Sequence, residues 1–308
     1  MRRGFAVLLG LLALAGCTTP PAPMTGAAPD ASFATLRQLD DHPLWTMRYA
    51  GGYDRFKEVV APAPATPFGC SLFATNDPAD PLFARNFDWA PSPALLLFTE
   101  PPDGYASVSM VDLSYLGVTE LPADRDRLAD APLLPFDGMN AKGLAIGLAA
   151  VPDARAGAQP SRPTVGGVRI IRLVLDQAAT VDEAVVVFRS HNVDFSGGPP
   201  LHYLIADATG KSVVVEFVDG EVVTQPAQAT VNFTMTGTDE ATRQADTRYR
   251  AATSGLGKAM NWRGALDLLS DVRQDHTQWS VVYGLRTGQI HVATDKNYER
   301  VHDFTLAR

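Results

Sequence analysis

Residues 69–89 read GCSLFATNDPADPLFARNFDW. Two short apolar runs, Ser71 to Ala74 and Leu82 to Arg85, flank the turn formers Asn76-Asp77-Pro78, which is the layout of two strands joined by a turn. The runs open on Cys70, and the chain of 308 residues has only one other cysteine, Cys17. A thiol without an evident disulfide partner invites a chemical explanation.

At the N-terminus, Arg2 and Arg3 precede the apolar run Phe5 to Leu14, which closes on Leu14-Ala15-Gly16-Cys17. The run is far short of the roughly 20 apolar residues of a spanning helix, so residues 1–16 read as a secretory signal. Leu-Ala-Gly directly before Cys17 resembles the bacterial lipobox. That resemblance implies that Cys17 is lipidated, becomes the mature N-terminus and anchors the chain to a membrane in the bacterial cell envelope, facing the periplasm or at the outer membrane. The alternatives are an ordinary signal cut elsewhere and a disulfide from Cys17 to Cys70, which requires an unmodified Cys17. Residues 17–33, rich in Pro, Ala and Thr, read as a flexible tether. The formal charge of −8 disfavours nucleic acid as a partner, and no block of Lys or Arg contradicts it. There is no internal repeat, zinc-type Cys/His spacing or glycine-rich phosphate loop.

Nearer the cysteine, Leu36 and Leu39 have helical spacing, Pro43 breaks it, and the mixed aromatic stretch 44–49 follows. Residues 61–68 are a proline-rich connector. Beyond Arg85, strands are expected at 95–98, 107–113, 144–151, 202–206, 213–218, 221–224, 279–285 and 289–294. Asp219-Gly220 marks a hairpin. Helices are expected at 168–178, at 239–252, at 262–272 and from Val181 to Phe188, the last opened by the capping box Thr180-Val181-Asp182-Glu183. Strands, helices, strands, helices, strands make an α+β order. His202 reads as a packed or edge histidine, and His276 as a residue that could line a pocket.

A thiol attacks as thiolate, and its free pKa of about 8.5 leaves little of that form at neutrality. None of the six histidines sits in a recognisable cysteine-protease setting. The other available base is the nucleophile's own α-amine, with a pKa of about 7.7–8.0, provided cysteine begins a chain. That route needs scission between Gly69 and Cys70. Gly69, without a Cβ, permits strained φ values and leaves its carbonyl open to the Cys70 thiol.

Several separated pieces recur in order: Gly69-Cys70-Ser71, Ala84-Arg85-Asn86-Phe87-Asp88-Trp89, Asp137-Gly138-Met139-Asn140-Ala141-Lys142-Gly143-Leu144, Asn232, Thr247-Arg248-Tyr249 and Thr277-Gln278-Trp279-Ser280. In these the sequence resembles the N-terminal-nucleophile (Ntn) linear amide hydrolases: choloylglycine (bile salt) hydrolases, penicillin V acylases, acid ceramidase-like enzymes and isopenicillin-N acyltransferases. The resemblance covers nearly all of 70–308 and implies an αββα four-layer Ntn-hydrolase sandwich there, with 34–69 as a pro-segment cut at Gly69-Cys70. It implies hydrolysis of a small-molecule N-acyl amide through an acyl-thioester on Cys70, without a metal or organic cofactor. By motif, Arg85 favours the thiolate, Asp88 orients the α-amine, Asn232 faces the oxyanion and Arg248 supports the site. Where bile salt hydrolases carry a further asparagine, Ala150 stands in register, so an oxyanion donor there must be a backbone N–H; this favours the acyltransferase-like branch. Asn140 reads as a turn asparagine that tolerates positive φ. The alternatives are an N-acyltransferase and a non-catalytic binding lipoprotein of the same fold. If both processing events occur, the lipid stays on the pro-segment, held by packing of Trp45, Tyr49, Tyr53 and Phe56.

Overall fold

A computed structural model describes residues 28–59, 69–256 and 260–308. The signal segment, Cys17 and the proline-rich connector lie outside the described residues. In chain order the elements are α1 (Ala28–Phe33), β1 (Arg37–Gln38), β2 (Leu44–Tyr49), β3 (Gly69–Ala74), β4 (Leu82–Asp88), β5 (Ala94–Thr99), β6 (Ser107–Asp112), β7 (Asp137–Asn140), β8 (Ala145–Ala150), β9 (Thr164–Gly166), α2 (Arg169–Gln177) and α3 (Val181–Arg189). There follow β10 (Asn192–Asp194), β11 (Leu201–Ala206), β12 (Ser212–Val218), β13 (Glu221–Pro226), β14 (Ala229–Thr230), α4 (Glu240–Ala245), α5 (Thr247–Leu256), α6 (Trp262–Asp271), β15 (Thr277–Gly284), β16 (Gln289–Thr294) and β17 (His302–Thr305).

Two sheets carry the fold. One has nine strands in the order β1-β2-β5-β6-β7-β8-β11-β12-β13, the other six in the order β14-β3-β4-β15-β16-β17. They face each other through β3 against β8 and β11, with α2 and α3 on the outer face of the first and α5 and α6 on the outer face of the second. This is the expected αββα sandwich. Close approach of the sheets is built into Gly147 on β8: a Cβ there would stand 2.8 Å from Leu72 Cδ2 of the facing sheet.

Local chemistry explains most elements. The β12–β13 hairpin turns on Asp219 (φ 51°) and Gly220 (φ 85°), the left-handed pair that a tight hairpin requires. Thr180 Oγ1 accepts from Glu183 N at 3.2 Å to start α3, although Glu183 reaches back to Ala179 N at 2.6 Å and not to the cap residue's own amide. The expected helix 239–252 is two: α4 ends at Asp246, whose carboxylate accepts from the amides of Arg248 and Tyr249 and starts α5.

The N-terminal part corrects three expectations. Residues 28–33, read as tether, form α1, and Ser32 Oγ accepts from Ala50 N at 2.8 Å. Leu36 and Leu39 belong to no helix; they flank β1, and the aromatic stretch 44–49 is β2, pairing parallel with β5 at the edge of the nine-stranded sheet. Of the four aromatic residues expected to pack, Trp45 and Tyr49 lie half-buried against the core, whereas Phe56 is 57% exposed. Leu44 and Met47 are fully buried beside them, and Asp40 joins the segment to the other sheet by accepting from Thr294 Oγ1 (2.6 Å) and His302 Nε2 (2.8 Å). Further on, Tyr53 and Arg55 both bond the buried carboxylate of Asp176 on α2, beside the buried Arg172.

Candidate active site

Antiparallel register sets the first layer of the site. Cys70 lies opposite Phe87, and Phe87 opposite Trp279, so the three stand in a row across β3, β4 and β15. Leu72, Arg85 and Val281 form the next row on the same face. Arg85 is thus the diagonal neighbour of Cys70, within reach of a long side chain. Its Nη2 donates to Cys70 Sγ at 2.9 Å, and both side chains are fully buried.

Arg85 is held from behind. Nη1 donates to the Phe136 carbonyl at 3.0 Å and stands 3.4 Å from Asp137 Oδ2, across the gap between the sheets. Asp137 also accepts from Tyr283 Oη (2.5 Å) and Trp279 Nε1 (3.2 Å). Burial raises its carboxyl above the usual range, against the pull of Arg85, Tyr283 and Trp279. Burial likewise pushes the Cys70 thiol up to about 11, while Arg85 acts in the opposite direction.

The backbone of Cys70 is gripped from the far side. Its N–H donates to Asn232 Oδ1 at 2.8 Å, and Arg248 Nη1 donates both to the Cys70 carbonyl (2.8 Å) and to Asn232 Oδ1 (3.0 Å). Asn232 Nδ2 donates to the Ala150 carbonyl at 2.9 Å. Ala150 therefore meets the site through its main chain. The neighbouring Val151 N–H bonds Pro200 on the β11 side, and strand alternation turns the Ala150 N–H the other way, past the end of β7.

Asp88 ends β4 opposite Gly69. Its carboxylate accepts from Thr277 Oγ1 (2.5 Å) and Gln274 Nε2 (2.8 Å); in the uncut chain the Cys70 nitrogen bonds Asn232 instead. The reason for glycine at 69 differs from the expectation: the residue is extended within β3 and is not among the positive-φ glycines. A Cβ at 69 would collide with the Gln274 carboxamide that holds Asp88.

The five expected residues, Cys70, Arg85, Asp88, Asn232 and Arg248, thus meet around the Gly69–Cys70 bond. Asp137, Gln274 and Thr277 complete the site and had no assigned role. Asp137 and Thr277 sit inside recognised motifs, but their partners are fixed by cross-sheet register, which short-range pattern does not show. Asn140 ends a strand and has no positive φ, which falls at Gly143 (φ 79°). Its amide donates to the Leu175 and Ala178 carbonyls at the end of α2.

A cavity of about 390 Å³ opens beside this cluster. Trp89, Tyr115, Phe136, Leu148 and Leu201 give it apolar walls, and Glu58, Arg169 and Asp194 are its charged lining. Phe136 is shared: its side chain faces the cavity and its carbonyl holds Arg85. Cys70 is not among the walls, and neither is His276.

Comparison with known proteins places the chain in a family and agrees with its fold. Residues 75–307 match the model of the family described as acyl-coenzyme A:6-aminopenicillanic acid acyl-transferase. A penicillin V acylase of Pectobacterium atrosepticum is 28% identical over 178 residues, 52% of this chain and 47% of that protein, so the match spans about half the length of that relative. Among solved structures, a mutant of the conjugated bile acid hydrolase from Clostridium perfringens superposes with a TM-score of 0.58 at 16% identity, over 77% of this chain and 92% of the other. The penicillin V acylase from Agrobacterium tumefaciens gives 0.56 at 17%, over 78% and 86%. At these identities the structural likeness establishes the fold, that of the Ntn hydrolases.

Proposed function

Since this chain belongs to the acyl-coenzyme A:6-aminopenicillanic acid acyl-transferase family, we propose that it cleaves itself between Gly69 and Cys70 and then hydrolyses linear N-acyl amides with the freed N-terminal cysteine. One observation carries the reading. The thiol of Cys70 is bonded by Arg85 while the amide and carbonyl of the same residue are bonded by Asn232 and Arg248.

In scission, the Cys70 sulfur adds to the Gly69 carbonyl carbon and the C–N bond breaks. The nitrogen leaves as the Cys70 α-amine, and the peptide is held as a thioester. Water then adds to that thioester, releasing the Gly69 carboxylate and restoring the thiol. In turnover the α-amine takes the thiol proton, and sulfur adds to the substrate carbonyl. The Asn232 carboxamide and the Ala150 N–H stabilise the oxyanion, and the amine product departs with the transferred proton. Water resolves the acyl-thioester. Asp88 orients the α-amine, and the apolar cavity takes the acyl group. The reaction as written calls on no metal or organic cofactor.

Mass spectrometry and N-terminal sequencing of the purified protein test the first step. A large fragment beginning at Cys70 is expected, absent in Cys70→Ala. An active chain left whole at that bond overturns the reading. The second step is tested with a panel of N-acyl amides, followed by product analysis with and without an added acceptor amine. Acyl transfer that outpaces hydrolysis would favour the acyltransferase alternative. We further propose that Cys17 carries the envelope anchor, which metabolic labelling with a fatty acid and comparison with Cys17→Ala would test.

A further inference from the structure

Asn232 lies in a segment without regular structure between β14 and α4, yet three hydrogen bonds from one pair of side chains pin it. His202 Nε2 stands 2.8 Å from the Val231 carbonyl, one residue before Asn232, where a ring nitrogen can only donate. Glu216 Oε1 accepts from Met235 N at 2.6 Å and Oε2 from Thr236 N at 2.8 Å, on the other side of Asn232. His202 is on β11 and Glu216 on β12, facing each other across the ladder with His202 Nδ1 3.4 Å from Glu216 Oε1. Both are essentially inaccessible, at 1% and 2% exposure.

A buried ionisable pair is seldom the most stable filling for its space, since apolar residues of similar size commonly do as well or better. What apolar residues cannot do is bond a carbonyl and two amides of a passing loop. The loop groups in those bonds, one accepting and two donating, bracket the one residue whose carboxamide reaches Cys70, Arg248 and Ala150 together. Its place relative to the sulfur is set by where the Val231–Thr236 backbone lies, and a displacement of about 1 Å can cost on the order of 100-fold in rate.

We propose that His202 and Glu216 are positioning residues for Asn232, fixing the backbone on both sides of it and thereby the stance of its carboxamide toward Cys70. Neither touches the sulfur; both act through Asn232. The proposal rests on the role assigned to Asn232 above.

A double-substitution cycle tests it, with kcat and KM referred to the titrated amount of free N-terminal cysteine. Glu216→Gln is expected to lower kcat about tenfold with KM within twofold, and to change kcat less than twofold when added to Asn232→Ala. His202→Leu should behave like Glu216→Gln, while His202→Gln, which keeps a donor for the Val231 carbonyl, should recover most of the rate. Equal loss from Glu216→Gln in both backgrounds overturns the proposal, as does wild-type kcat in His202→Leu. An Asn232→Ala chain as active as the wild type instead removes the role of Asn232 itself. If Asn232→Ala stays uncut, scission is the readout: His202→Leu should slow cleavage at Gly69–Cys70 and His202→Gln should restore it, and wild-type cleavage in His202→Leu rejects the proposal.

Discussion

The guanidinium of Arg85 donates to the sulfur of Cys70 at 2.9 Å, and neither group reaches solvent. Replacing Arg85 by Leu is therefore expected to leave the thiol protonated, the chain uncut and turnover lower by at least about 100-fold, the order seen when a single transition-state donor is lost. Lysine at 85 should recover only part of this, because an ammonium lacks the second nitrogen that faces Phe136 and Asp137. Gel analysis of scission and a rate measurement decide it.

That trapped chain carries a pH signature. With Arg85 in place burial already raises the folded thiol to about 11, and losing that cation raises it further, whereas an unfolded cysteine ionises at about 8.5. The unfolded state holds fewer protons between these values, so stability is fully present below the lower value and falls as pH rises through the window. Denaturant titrations at rising pH should show the fall in Arg85→Leu and a shallower one in Arg85→Leu with Cys70→Ala.

A side chain at 69 is predicted to push the Gln274 carboxamide away from Asp88. Gly69→Ala should slow self-cleavage, and adding Gln274→Ser, which removes the colliding carboxamide, should restore much of the rate. A time course of fragment appearance checks this. Equal slowness in the single and double variants would place the effect elsewhere.

Asp137 neutralises Arg85 where both are fully buried. Asp137→Leu should cost about 3–5 kcal/mol by leaving that cation unpaired. Asp137→Asn should cost less, since its amide oxygen still accepts from Tyr283. Chemical denaturation measures both.

After the cut, the piece before Cys70 is expected to co-purify with the rest and to separate in acid. At Asp40, burial alone would raise the carboxyl, but the hydrogen bonds from Thr294, His302 and Arg300 outweigh it and hold it below its ordinary value. Its contribution is therefore present above about pH 4 and lost as pH falls through the depressed value. Size-exclusion chromatography across pH, with Asp40→Asn weakening retention at neutral pH, checks this.

Much of this architecture could be read from the chain. Short apolar runs bounded by turn formers gave the strands around Cys70 and in the second half, most of them buried on both faces. Glycine and capping residues gave the β12–β13 hairpin and α3. Leu36 and Leu39 misled because they flank a two-residue strand that exists only by pairing with β2, and β2 is itself placed by its parallel partner β5, of which local spacing carries no trace. The site divides the same way. Cys70, Arg85 and Asp88 lie within one hairpin and announce themselves. Asp137, Gln274 and the His202–Glu216 pair act only through contacts that the facing sheets create.

The parallel pairing of β2 with β5 also bears on how the protein can be made. A gene opened at codon 70 to yield the finished enzyme directly would strip β5 of its neighbour and bare a row of unpaired amides and carbonyls along an apolar strand, a template for aggregation. Material prepared that way should be recovered from inclusion bodies. Supplying residues 28–69 as a separate polypeptide during refolding should rescue it.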